Sequence, residues 1–241
     1  MTTKKNSVYW KKLRIIMDKI KEDYNGLQIN AYVINLPERI DRQKHIETQF
    51  FNRPEFLLHF IEAETDKIGA VGLWKSIVKI IKHALENTSD DVIVICEDDH
   101  TFTEDYNREV FFEYIIKGAL YNTQILFGGI GGVRNIVSVT KNLYWVDMIW
   151  CTQFIVIYRD AFLPIINAAF SERDVADEFL SKILPNKLAI WPFISVQSEF
   201  GYSDVTGNNA QTGMLRSLFE NTYKRFEQYN GYKTTHKSII L

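Results

Sequence analysis

The sequence contains little cysteine, and it has neither a long apolar run nor a surplus of one charge. Its two cysteines, Cys96 and Cys151, lie in apolar strand-like runs. Such positions are typical of small core residues in a reduced intracellular protein, and they argue against a disulfide framework or a zinc site. No apolar run approaches the ~18 residues of a membrane-spanning helix. Since the N-terminus also lacks a signal-peptide pattern, we expect a soluble cytoplasmic protein.

The net charge, the apolar composition and the length limit the possible classes of protein further. A formal net charge of −2 provides no electropositive field, so we expect no nucleic-acid partner. An apolar fraction of 46% with 14% aromatic residues excludes general disorder. The 241 residues can bury a sizeable core, which predicts one large α/β domain, with or without terminal extensions.

A nucleotide-binding glycine fingerprint is also missing. The glycine-rich residues 128–132 follow a predicted strand, but they match neither the dinucleotide pattern nor a phosphate-binding P-loop. They indicate either that something approaches the backbone closely or that the chain turns sharply there.

The most informative stretch that is present is residues 91–100. Five apolar, mostly β-branched residues predict a strand buried on both faces, and Glu97, Asp98 and Asp99 follow without interruption. Because side chains alternate along a strand, we expect Glu97 and Asp99 to share one face and Asp98 to point away. Two carboxylates so placed suit Mn²⁺ or Mg²⁺, which in turn can hold a diphosphate. The alternative is a strand end that leads into a solvated acidic turn.

Hydrophobic periodicity predicts alternating strands and helices along the rest of the chain. Strands are predicted at residues 31–36, 57–61, 124–127, 142–147, 152–158 and 188–196, and helices at 7–23, 38–51, 67–86, 106–120, 160–170 and 175–183. Pro192 predicts that the last strand lies at an edge of the sheet. The N-terminal helix is basic and amphipathic, so it either lies on the inner membrane surface or packs on its own domain.

Two further sets of polar residues are candidates for a site. Arg42 follows the end of the first predicted strand, where open α/β sheets form binding crevices, so it either reaches a phosphate or base or is a surface arginine. Asp174, Asp177 and Glu178 cluster at the start of a short helix. Carboxylates there stabilise the positive helix end, or one of them is a general base.

Several of these residues resemble the motifs of glycosyltransferase family 25, the lipooligosaccharide and procollagen galactosyltransferase type. The similarity covers roughly residues 30–206. It is carried by Val33-Ile34-Asn35-Leu36 with Arg42, by Ala63, by Gly72 and Ser76, and by Glu97-Asp98-Asp99. Residues 152–158 and Ser203-Asp204 resemble weaker downstream blocks.

The resemblance implies a single α/β domain of the GT-A type, with a Rossmann-like mixed central sheet flanked by helices. It implies a metal-dependent, inverting hexosyltransferase that moves a sugar such as galactose from a UDP-linked donor to a glycan or glycolipid, as in lipopolysaccharide biosynthesis. On this basis the nucleotide sugar is bound by Asn35, Leu36, Arg42, Ala63, Ser76 and Asp98, and Mn²⁺ or Mg²⁺ by Glu97 and Asp99. Asp177 is the predicted base, with Asp147 and Asp204 as its rivals.

We expect residues 1–28 to form a helical extension, residues 29–206 the GT-A-like domain, and residues 207–241 a basic helical tail that closes over a diphosphate or is merely solvated. One departure from the family is Ile77, which stands where the family has a histidine; His83 or His100 could replace it. Two alternatives therefore remain open, a metal-dependent nucleotidyltransferase and a non-catalytic relative that binds sugars or nucleotides.

Overall fold

The structure is a computed structural model, and it describes residues 24, 26–201 and 213–236. The predicted helix at residues 7–23 and the candidate base Asp204 therefore lie outside the described residues. Among the described residues, no helix combines the length and the apolar character needed to cross a membrane.

Strands and helices alternate along the described chain. The strands are β1 (Ile29–Asn35), β2 (Phe56–Glu62), β3 (Val92–Glu97), β4 (His100–Phe102), β5 (Ile125–Phe127), β6 (Gly132–Val133), β7 (Ile136–Thr140), β8 (Leu143–Val146), β9 (Ile149–Trp150), β10 (Phe154–Tyr158), β11 (Lys187–Ile190) and β12 (Ser195–Gln197). The helices are α1 (Ile40–Phe50), α2 (Gly69–Asn87), α3 (Arg108–Leu120), α4 (Phe162–Ile166), α5 (Ala176–Ile183) and α6 (Met214–His236). A short 3₁₀ turn, Arg159–Ala161, precedes α4.

Eight of the described strands form one central sheet, in the order β2-β1-β3-β10-β5-β11-β8-β7. β2, β1 and β3 are parallel, β10 is antiparallel to both β3 and β5, and β11 is parallel to β5. β8 and β7 complete the sheet as an antiparallel pair. The predicted single α/β domain with a mixed central sheet flanked by helices is thus confirmed.

The centre of the sheet is buried on both faces, because side chains alternate along each strand and each face packs in its own core cluster. In β3, Ile93 and Ile95 pack in one cluster with the apolar stripe of α2. Val94 and Cys96 face the other way, into a second cluster to which α1 and α3 contribute. Burial on both faces explains why β3 is an unbroken run of apolar, mostly β-branched residues.

The prediction for residues 188–196 is wrong in two respects. β11 is an interior strand between β5 and β8, not an edge strand, and it ends at Ile190. Proline lacks the amide hydrogen that a sheet needs, and the chain leaves the sheet before Pro192. β12 then pairs with β4 in a separate two-stranded sheet. This small sheet lies directly after the carboxylate triplet.

The C-terminal helix α6 packs onto the domain. Phe219 and Phe226 are buried in the core cluster that includes α2 and α5. The Thr222 hydroxyl donates to the carbonyl oxygen of Gly131 at 2.8 Å. These contacts bring the first turns of α6 to the loop between β5 and β6, where they help to form the wall of the site described next.

Candidate active site

A cavity of about 700 Å³ opens where β1, β2 and β3 end. Its lining falls into two groups of residues. The strand-end side includes Leu36, Arg42, Ala63, Glu97, Asp98 and Asp99, and the helix side includes Trp150, Val175, Asp177, Glu178, Leu215 and Leu218. The ends of parallel strands meet at one edge of a sheet, which explains why residues so distant in sequence share one cavity.

The carboxylate triplet does not follow the alternation expected from the sequence. β3 ends at Glu97, and Asp98 and Asp99 form a turn before β4. The expectation that Asp98 points away from Asp99 is therefore wrong. A single nitrogen of Arg42, Nη1, donates to Asp98 Oδ1 at 2.9 Å and to Asp99 Oδ2 at 3.2 Å. Asn35 donates to the other oxygen of Asp98 at 3.0 Å.

Arg42 is buried beneath this turn, with 4% of its surface exposed. Its guanidinium lies 4.9 Å from the ring centroid of Phe200, and Arg39 Nη1 lies 3.7 Å from Asp98 Oδ2. Arg42 also lines the cavity. Its Nη1, however, donates to two carboxylates, which indicates that Arg42 compensates their charge.

Asp99 is hydrogen-bonded through one carboxylate oxygen and not through the other. Its Oδ2 also accepts a hydrogen bond from Gln197 at 2.9 Å. Its Oδ1 is buried and has no hydrogen-bond partner within the described part of the chain. A buried acceptor without a donor is costly, so this oxygen is suited to a cation. Burial raises the pKa of Asp99, and Asp98 raises it further although Gln197 and Arg42 oppose the shift.

Glu97 lies beside Asp99 and is half-buried. Its Oε1 accepts a hydrogen bond from the Thr152 hydroxyl at 3.1 Å. Burial and the Asp99 carboxylate raise the pKa of Glu97, and the charges of Asp98 and Asp177 add to the effect. Burial is the largest cause of the raised pKa of Glu97, and repulsion between the carboxylates adds to it. A bound cation would relieve that repulsion.

Glu97 and Asp99 suit a metal ion whose other ligands come mainly from the enzyme's substrate. Among the described residues, no group of three His, Cys, Asp or Glu side chains is arranged to hold a metal. Mg²⁺ sites often use one or two carboxylates and complete their coordination with water and substrate phosphates. Glu97 and Oδ1 of Asp99, the oxygen without a hydrogen-bond partner among the described residues, match that kind of site.

Three further predicted residues shape the wall of the cavity. The Ser76 hydroxyl donates to the Gly72 carbonyl at 2.9 Å and accepts from the Glu64 amide at 2.8 Å. A Cβ at Gly72 would lie 2.6 Å from the Glu64 carbonyl oxygen, so only glycine permits this approach. The Ala63 amide donates to the Asn35 carbonyl at 3.0 Å. The Ser76 hydroxyl thus fastens the loop after β2 to α2.

Asp177 lies in the first turn of α5, on the helix side of the same cavity. Its Oδ2 accepts from the Cys151 amide at 3.0 Å and its Oδ1 from the Glu178 amide at 2.8 Å. Burial raises the pKa of Asp177, although these two donors lower it. A carboxylate with a raised pKa and a fixed orientation is suited to accept a proton.

The rival base Asp147 is placed differently. It is not among the described lining residues, and it accepts from Arg134 Nε at 2.7 Å and from the Asn135 amide at 2.7 Å. Burial alone would raise the pKa of Asp147, but these hydrogen bonds and one from the Met148 amide hold it well below its usual range. Such a carboxylate is a weak base.

The histidines suggested as replacements for Ile77 do not line the cavity. Ile77 is buried in the core beneath α2. His83 is exposed near the end of α2. His100 is buried, with Nδ1 2.8 Å from the Ser195 hydroxyl and its ring centroid 4.3 Å from that of Phe102. Burial lowers the pKa of His100 well below its usual value, so its ring is neutral.

Sequence reasoning missed Gln197, Thr152, Trp150 and Cys151. Cys151 has a left-handed backbone, with φ of 74°, that turns the chain between β9 and β10 and presents its amide to Asp177. A Cβ at Gly131 would lie 2.5 Å from the Cys151 sulfur. The glycine-rich residues 128–132 indicated that something approaches the backbone closely or that the chain turns sharply. At Gly131 the close approach is made by another residue of the same chain, Cys151.

Comparisons with known proteins identify similar solved structures only. No protein-family model and no curated protein sequence match the chain. A197 from STIV is 13% identical with a TM-score of 0.45, over 74% of this chain and 87% of that one. Apo UDP-glucose pyrophosphorylase is 11% identical with a TM-score of 0.44, over 83% and 82% of the two chains. HddC from Yersinia pseudotuberculosis is 10% identical with a TM-score of 0.39, over 88% and 84%. The activity must therefore be argued from the site.

Proposed function

We propose that this protein is a metal-dependent glycosyltransferase that transfers a hexose from a UDP-linked donor to a glycan or glycolipid, with inversion at the anomeric carbon. The observation that carries the proposal is that one cavity contains both the carboxylate triplet and a separate carboxylate, Asp177. The carboxylate triplet lines its strand-end side and Asp177 its helix side. Sugar transfer needs both a diphosphate-holding site and a separate base.

In this proposal the strand-end side binds the donor. Glu97 and Asp99 would hold Mn²⁺ or Mg²⁺, which when bound neutralises the charge that develops on the departing diphosphate. Arg42 and Gln197 fix Asp99 through its Oδ2, so Oδ1 has no hydrogen-bond partner among the described residues and would be available as a ligand to the ion. The wall near Leu36 and Ala63 is available to the nucleoside.

Asp177 is the proposed base for the acceptor hydroxyl. Inversion requires the acceptor to approach from the side of the sugar opposite the leaving diphosphate, so the base belongs across the cavity from the metal ligands. The Cys151 and Glu178 amides orient both oxygens of Asp177. Burial, by raising the pKa of Asp177, makes it a stronger base than an exposed aspartate.

Thermal-shift measurements with UDP, with and without Mn²⁺ or Mg²⁺, test the donor site directly. We expect UDP to raise the melting temperature only when metal is present. Incubation with labelled UDP-hexoses should then release UDP, and addition of pyrophosphate should not yield UTP. Formation of UTP would indicate the nucleotidyltransferase alternative, and metal-dependent binding without UDP release would indicate the non-catalytic one.

Asp99→Asn tests the metal assignment. The substitution should weaken the Mn²⁺-dependent stabilisation by UDP at least about tenfold in metal concentration, because loss of even an outer-shell partner costs about 10–100-fold in metal affinity. Circular dichroism checks that the variant is folded. Glu104→Gln, which changes an exposed carboxylate just beyond β4, is the matched control. Unchanged Mn²⁺ dependence in Asp99→Asn would refute the assignment.

A further inference from the structure

Trp150 is a large aromatic side chain that remains exposed beside the candidate base. It is the last residue of β9, lines the helix side of the cavity and has 41% of its surface exposed. The next residue, Cys151, donates its amide hydrogen to Asp177. Trp150 is therefore the immediate neighbour, along the chain, of the residue whose amide is hydrogen-bonded to the Asp177 carboxylate.

The indole is fixed at two positions. Its Nε1–H donates to Glu178 Oε1 at 2.9 Å. The six-membered ring of the indole packs against Gly132, where a Cβ would lie 2.4 Å from Cε3 of the ring. The ring therefore occupies space that only glycine leaves open. An aromatic side chain that is already held in place loses little conformational entropy when a ligand packs on it. Trp150 thus has the properties of a preformed binding platform.

The surroundings of Trp150 define the chemistry of its ligand. Val175 and Leu218 add apolar surface nearby, while Asp177 and Glu178 offer carboxylate oxygens. A pyranose ring presents one face rich in C–H groups and a rim of hydroxyl donors. Its C–H face can pack on an aromatic ring while its hydroxyls donate to carboxylates. The two carboxylates would repel an anionic ligand.

We propose that Trp150 binds the acceptor sugar, as an uncharged pyranose whose C–H face packs on the indole and whose reactive hydroxyl donates to Asp177. This inference rests on the proposed function, which assigns the donor to the strand-end side. It adds the substrate class of the acceptor and names a specificity-determining residue. Glu178 is a positioning residue here, because it holds the indole through Nε1.

Saturation-transfer NMR with methyl β-D-galactopyranoside, in the presence of UDP and the diamagnetic ion Mg²⁺, tests the proposal. Wild-type protein should transfer saturation most strongly to the ring C–H protons of one sugar face. Trp150→Ala should weaken glycoside binding about tenfold or more, as expected for loss of a central aromatic contact. Trp150→Phe should retain part of the affinity, and Glu178→Gln, which keeps an acceptor for Nε1, should retain more of it than Glu178→Ala.

Trp145→Phe is the matched control. Trp145 donates through Nε1 to the Pro185 carbonyl at 2.9 Å and is not among the described lining residues. This variant should bind the glycoside like wild type. Equal binding by wild type and Trp150→Ala, or no binding by wild type, would overturn the inference. Metal-dependent UDP stabilisation in the same samples reports on the donor site separately, so failure of the platform is distinguishable from failure of the proposed function.

Discussion

Asp177→Asn should lower kcat by about two to four orders of magnitude, the usual contribution of a general base. The amide cannot accept the proton of the acceptor hydroxyl. UDP and Mn²⁺ binding should persist, because Asp177 accepts its hydrogen bonds from the Cys151 and Glu178 amides and not from residues of the carboxylate triplet. Turnover of a UDP-hexose with an acceptor, measured beside metal-dependent thermal shifts with UDP, checks both parts of the expectation.

Two conservative substitutions control for this effect. Asp147→Asn changes a carboxylate that is occupied by Arg134 and Asn135. Asp174→Asn changes a partly exposed carboxylate that accepts from the Ser171 amide at 2.8 Å. Both variants should retain kcat within a fewfold of wild type. Near-normal turnover by Asp177→Asn, together with a large loss in Asp147→Asn or Asp204→Asn, would show that another carboxylate is the base.

The case of Asp177 shows where sequence reasoning stops. From the sequence, repulsion by Asp174 and Glu178 opposes the helix dipole, and the two effects cannot be ranked. In the structure, burial is the main cause of the raised pKa of Asp177, and Glu178 adds a smaller rise. Burial depends on the packing of α5 against distant segments, so local sequence carries no direct measure of it.

The parts of the fold that were predicted correctly are those with a strong local pattern. β3 and β10 are continuous apolar runs, and α2 has an apolar stripe at helical spacing. The short strands β4 and β12 were missed because three residues cannot show a period. The order of the sheet, with β10 between β3 and β5, depends on long-range pairing that local periodicity does not encode.

The same limit applies within the site. The carboxylate triplet could be identified because three adjacent acids after a buried strand are conspicuous. Gln197 and Thr152, which bond to Asp99 and Glu97, are ordinary polar residues about 98 and 55 positions away along the chain. Only the pairing of β12 with β4 and of β10 with β3 brings them to the carboxylates. The acids themselves were predictable, whereas their partners were not.

Arg42 illustrates how a predicted ligand-binding residue acquires a different role in the structure. As a contact to the donor alone, Arg42 would affect the donor KM well before kcat, since such a contact is made equally in the ground and transition states. In the structure its Nη1 donates to Asp98 and Asp99, and the side chain is buried. Loss of Arg42 would leave two buried carboxylates without this cation, which is costly even in the absence of substrate.

Arg42→Ala should therefore lower the free energy of unfolding by about 3–5 kcal/mol, the usual cost of removing one partner of a buried ion pair. Urea unfolding of the metal-free protein measures this directly. Adding Asp98→Asn should restore part of the loss, because it removes one of the uncompensated charges. Lys44→Ala, an exposed basic residue in the same helix, is the control and should change stability little. If Arg42→Ala unfolds like wild type and raises only the donor KM, Arg42 binds the nucleotide and does not serve as the counter-ion of the triplet.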